Sequence, residues 1–69
     1  MQHKITFAVP ANEWTALKTR ILTTNFKADE PSFTKHQAHS GYEFATFASN
    51  IYSDTLTVRA MLPASAQII

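Results

Sequence analysis

The sequence predicts an α+β domain with two layers. One helix lies on one face of a mainly antiparallel sheet. Three observations predict it. Apolar residues alternate along 3–9 and again along 55–62, and an apolar arc at helical spacing runs through 11–24. The expected order is strand, helix, a further strand or loop over 32–39, then a β-hairpin, all in one domain spanning residues 1–69.

The first strand follows from Ile5, Phe7 and Val9 pointing one way while Lys4, Thr6 and Ala8 point the other; Pro10 ends it because proline cannot donate to a ladder. In the helix, Ala11, Trp14, Leu17, Ile21 and Leu22 share a face. Asn12 is the expected cap, or Glu13 sits in the first turn against the positive end of the dipole; Asn25 is the expected left-handed residue at the other end. Lys18 falls inside the apolar arc, and its place inside or outside is left open. Asp29, Glu30 and Pro31 read as a loop. Residues 33–39 read equally as loop or as a poor strand joined through Ser40-Gly41 to the next one, and Gly41, the only glycine, is the expected positive-φ position. Residues 42–49 read as a strand from their aromatic and Thr content, with Tyr42 and Phe44 on one face and Phe47 on the other. Residues 50–54 read as a hairpin turn. The last strand is expected at 55–62, where Leu56, Val58, Ala60 and Leu62 alternate with Thr55, Thr57, Arg59 and Met61; Pro63 ends it.

Composition excludes several classes. The chain has 69 residues, no Cys, 45% hydrophobic and 16% charged residues, and a net charge of +1. Disulfides and Cys-ligated zinc are excluded. Disorder is a poor fit, because Leu, Ile, Val and Phe total 16 and the net charge is near zero. No apolar run approaches the roughly 18 residues of a membrane span, and no signal peptide is seen, so a cytoplasmic protein without a membrane partner is expected.

No chemical motif stands out. A single glycine cannot build a phosphate-binding loop, and the acids Glu13, Asp29, Glu30, Glu43 and Asp54 are scattered, so no enzyme and no cofactor are expected. His36 and His39 have the spacing of two metal ligands on a helix, but on a strand they separate; solvent-facing histidines are the expectation.

The unusual signal is surface without charge. Thr15, Thr19 and Thr23 form a ridge on the outward helix face beside Arg20, where better helix formers normally stand. Thr totals 9 and Ala 10, and one helix leaves a sheet face uncovered. That face is expected to carry Thr6, Ala8, Thr55, Thr57, Arg59 and Met61 with one side of 42–49. These features point to a non-enzymatic protein-interaction module: an inhibitor, regulator or accessory subunit that also associates with itself. The expected contact residues are Thr15, Thr19, Arg20 and Thr23 on the helix, and Tyr42, Tyr52, Arg59 and Met61 on the sheet; the sheet edge offers a further mode, pairing with a partner's strand. A nucleic-acid interface on the sheet, using Lys35, Tyr42, Phe44 and Arg59, is the alternative. It is weakened by an isoelectric point near 8.2 and by basic residues spread along the chain. A third reading is an oligomer sheltering a small aromatic ligand against Trp14 or Tyr42.

Overall fold

The computed structural model describes residues 2–69. Its elements are β1 (His3–Pro10), α1 (Ala11–Thr23), β2 (Ser32–Lys35), β3 (Tyr42–Ser49), α2 (Tyr52–Met61) and β4 (Gln67–Ile68). The four strands form an antiparallel sheet in the order β2-β3-β1-β4. Both helices pack against β1 and β3 and touch each other. This β-α-β-β-α-β order, with the first and third strands central, is the split-βαβ arrangement of ferredoxin-like domains.

The α+β class and the antiparallel sheet match the expectation; the element at 55–62 does not. It is a helix, beginning at Tyr52, and of the expected 50–54 hairpin turn, 50–51 lead into it and 52–54 are its first residues. The alternation there is coincidental. Of the four residues it would bury, Val58 is buried, but Leu56 is 45% exposed and Ala60 is also exposed. The inward residues are Asp54, Thr55 and Val58, with Met61 and Leu62 packed beside them, a spacing of three and four. On the outer edge of β1, β4 pairs with Phe7 and Ala8.

Register assigns the two sheet faces. Ile5 opposes Phe47 and Phe7 opposes Ala45, so these residues share the helix side. There they form the core with Val9, Leu17, Ile21 and Val58. Trp14 and Phe33 close one side, stacked at 5.7 Å, and Phe33 in turn stacks on Phe7 at 6.3 Å. Phe26 caps Phe47 at 4.7 Å. On α1, Leu17 and Ile21 are buried as expected, but Ala11, Lys18 and Leu22 are exposed.

Local chemistry sets the boundaries. The β2–β3 hairpin turns at Ser40 (φ 54°) and Gly41 (φ 82°), with His39 and Tyr42 exchanging backbone bonds of 3.0 and 2.9 Å. Two successive positive φ values are the signature of a type I′ turn. Between the Lys35–Ala45 and His39–Tyr42 pairs, three residues face two, so the first strand carries a bulge. The Gly41 carbonyl accepts the Ala11 amide at 2.9 Å, which satisfies a first-turn N–H of α1. The residue ahead of α1 is therefore Pro10, with no side-chain cap from Asn12. At the other end Thr24 is extended and its hydroxyl donates to the Arg20 carbonyl at 2.6 Å, so Asn25 is not a left-handed cap.

Asp54 ties three segments together. Its carboxylate accepts the Lys27 and Ala28 amides at 2.9 Å each and the Ser49 hydroxyl at 2.9 Å. Ser49 Oγ accepts the Ile51 amide at 3.0 Å. Burial acts to raise the Asp54 pKa, but the two backbone donors, the Ser49 hydroxyl and the Lys27 charge outweigh it, and the carboxyl lies below its ordinary value.

A carboxyl with a lowered folded pKa contributes fully above the ordinary aspartate value of about 3.9 and loses that contribution as pH falls through the lowered one. Asp54→Asn is therefore expected to lower the denaturant midpoint at pH 7, and the gap to the parent is expected to narrow below about pH 4. Chemical denaturation across pH measures both. Ser49→Ala, which strands the Ile51 amide, is expected to cost about 1–3 kcal/mol in the same assay. At the turn, Ser40→Asn is expected to raise stability by up to about 1 kcal/mol, because Asn tolerates the left-handed region better than Ser, while Gly41→Ala lowers it by about 1–2 kcal/mol.

Candidate functional site

The site is built on α2. With Asp54 anchored inward, Tyr52, Leu56 and Arg59 fall at i, i+4 and i+7 on the opposite, outward face of the helix. That face borders the edge of the sheet, where β4 brings Ile68 and Ile69 alongside β1. Lys4, Ile5, Thr6, Thr55 and these five residues line one groove. Among the described residues, the large exposed hydrophobics are Leu22, Ile51, Tyr52, Leu56, Ile68 and Ile69, and the last four of these meet here. His3 packs edge-on against Tyr52 with ring centroids 5.3 Å apart, which holds the tyrosine ring over the sheet end.

The groove is cationic as well as apolar. Lys4 and Arg59 line it, no acidic side chain does, and neither cation has an ion-pair partner among the described residues. The one ion pair among those residues joins Lys35 Nζ to Glu43 Oε1 at 2.9 Å, on β2 and β3.

The expected contact residues are dispersed by the fold. Tyr52 and Arg59 come together in the groove, but from a helix and not from the sheet. Met61 is also helical; it lies with Arg20 in a second concavity between α1 and the segment after α2, together with Glu13, Ala16 and Pro63. Glu13 brings an acid to that concavity beside Arg20, and accepts a hydrogen bond from the Ser65 hydroxyl. Thr15, Thr19 and Thr23 are exposed along α1 as expected. The Thr23 hydroxyl donates to the Thr19 carbonyl at 2.8 Å, so its polar group is spent within the helix. Tyr42 is on the sheet as expected, and on the face without helices.

That open face carries Lys4, Thr6 and Ala8 from β1, Tyr42, Phe44, Thr46 and Ala48 from β3, and Ser32 and Thr34 from β2, by register. Thr55, Thr57, Arg59 and Met61, expected there, are on α2. A chain of hydrogen bonds crosses the face: His36 Nε2 lies 2.8 Å from Thr46 Oγ1, which lies 2.8 Å from Thr6 Oγ1. His36 and His39 are in the hairpin, and among the described residues no group of three or more metal-ligating side chains forms. The residues of the alternative nucleic-acid surface do not share a face. Lys35 pairs in register with Ala45 on the helix side, Tyr42 and Phe44 lie on the open side, and Arg59 is on α2.

Leu56, Ile68, Ile69 and Lys4 were not among the expected contact residues. The signal for Leu56 was the i, i+4, i+7 spacing with Tyr52 and Arg59, visible once 52–61 is read as a helix. Among the described residues no helix is long and apolar enough to cross a membrane. No family model matches the chain, and neither a curated protein nor a solved structure is significantly similar to it.

Proposed function

We propose that this chain is a non-enzymatic protein-interaction module, an accessory or regulatory subunit acting in the cytoplasm, and that its docking surface is the groove between α2 and the β1/β4 edge. The observation that carries the reading is the convergence of Tyr52, Leu56, Ile68 and Ile69 on one concavity rimmed by Lys4 and Arg59. Scattered exposed apolar residues need no explanation, but gathered ones framed by charge mark interaction surfaces. Tyr and Arg are also the residue types that most often anchor such surfaces.

Self-association through the open sheet face is a second reading, favoured by one observation. Thr6, Thr46 and His36 bond to one another across that face, and Lys4 is the only Lys, Arg, Asp or Glu on its paired positions. Such a face loses little polar solvation when covered.

Native mass spectrometry of the protein isolated from its own cells separates the readings. A second polypeptide retained by the parent and by Leu22→Asp, but lost or weakened more than about tenfold by Leu56→Asp, is the expected result. A complex that survives Leu56→Asp removes the groove from consideration. A simple multiple of 7.7 kDa that survives Leu56→Asp but is broken by Thr46→Lys assigns function to the sheet face instead. A bare monomer overturns both.

A further inference from the structure

We propose that the groove takes an extended, acidic segment of a partner protein, added as a strand to the free edge of β1. The proposal rests on the groove reading above and names its occupant.

The edge is real and short. β1 has eight residues, while β4 pairs only with Phe7 and Ala8 and sends the Ile69 amide to the Thr6 carbonyl at 2.9 Å. In an antiparallel sheet, alternate residues direct both backbone polar groups to the same side. Thr6 faces the β4 side, so Lys4 does too. No strand lies beside Lys4 on that side, and among the described residues its amide and carbonyl have no hydrogen-bond partner there. An open edge of this kind is a template for another chain.

Charge selects the occupant. Successive side chains of an added strand would point alternately to the helix side and to the open side. Arg59 stands on the helix side with Tyr52 and Leu56, whereas Lys4, opposite Ala48, projects on the open side. An acidic side chain on either face of the incoming strand therefore finds a cation, and an apolar one on the helix side finds Tyr52, Leu56 or Ile68. A second copy of this chain fits poorly. Edge-to-edge pairing of two β1 strands sets Lys4 against Lys4. An edge lysine discourages such pairing while remaining open to an acid.

The test is an NMR titration of the whole chain with a capped hexapeptide alternating valine and glutamate. A lysine-for-glutamate peptide and a backbone N-methylated glutamate peptide serve as controls. The expected result is perturbation of Lys4, Leu56, Arg59 and Ile68, with Lys4 amide exchange slowed about tenfold at saturation. With the valines covering Tyr52 and Leu56, the glutamates face Lys4, so Lys4→Glu, at an exposed position, is expected to weaken binding about tenfold while the spectrum stays folded. The lysine and N-methylated peptides are expected not to bind. Equal binding by the N-methylated peptide overturns strand addition but leaves the groove as a docking surface, as for a helical partner. Equal binding by the lysine peptide overturns the acidic assignment. Failure of the glutamate peptide to bind overturns the proposal, with the partner isolation above still deciding the groove. Perturbations confined to the open sheet face overturn both.

Discussion

The Asp54 carboxylate is the contact on which the arrangement of this molecule depends. Residues 24–31 connect α1 to the edge strand β2 without regular structure of their own, and their backbone amides need partners. Asp54 supplies acceptors for Lys27 and Ala28 from the first turn of α2 and binds the Ser49 hydroxyl at the end of β3. One side chain thereby fixes where β3 ends, where α2 begins and how the α1–β2 loop crosses the helix layer. Each donor bond stabilises the ionised form inside the protein, so the group that would be most costly to bury alone becomes a structural pin. With α2 held at that rotation, its outward face is determined as well, and the groove is its consequence.

The sheet divides the remaining work. On the helix side, Phe7, Phe47, Val9 and Val58 are almost fully buried, a small core for a small chain. On the other side the Thr6 and Thr46 hydroxyls are turned toward one another, with His36 bonded to Thr46. Ala8 and Ala48 are buried on that open face without any helix above them, shaded by larger neighbours. The apolar exposure of the molecule is concentrated instead at the α2–β4 end.

Much of this was legible in residue types whose physics is local. Strict alternation in 3–9 has one meaning, because a helix would scatter Ile5, Phe7 and Val9 around its surface. Gly41 as the only glycine marked the turn, and the arc Trp14, Leu17, Ile21 marked α1. Residues 55–62 were illegible for a definite reason. Val58 and Leu62 satisfy both a two-residue and a four-residue period, and the β-branched Thr55, Thr57 and Val58 tilt a propensity argument towards strand. The fact that decides for helix, the bonds from Asp54 to amides 26 and 27 positions earlier, is tertiary. The site suffered in the same way. Tyr52 and Arg59 were chosen as sheet residues and belong together for a helical reason, while Arg20 and Met61, chosen for different elements, meet in a second concavity.

Ferredoxin-like topology leaves one sheet face uncovered, and that face is the obvious place to look for function. A fold hosts many functions, however, so the distribution of side chains must decide. Stacking on bases would need rings near the middle of the central strands with cations around them. Here β1 offers Lys4, Thr6 and Ala8 on that face, and the rings of β3, Tyr42 and Phe44, sit towards one end. At the β1–β4 margin the balance is reversed. A two-residue strand covers part of an eight-residue neighbour, and what it leaves bare lies beside the exposed Tyr52, Leu56, Ile68 and Ile69. Backbone polar groups awaiting partners, apolar surface awaiting cover and two cations awaiting counter-charges thus coincide at one place. Each alone is ordinary on a small domain. Together they describe the complement of an acidic strand, and the proposal that a partner docks at the margin of the sheet rather than on its open face rests on that coincidence.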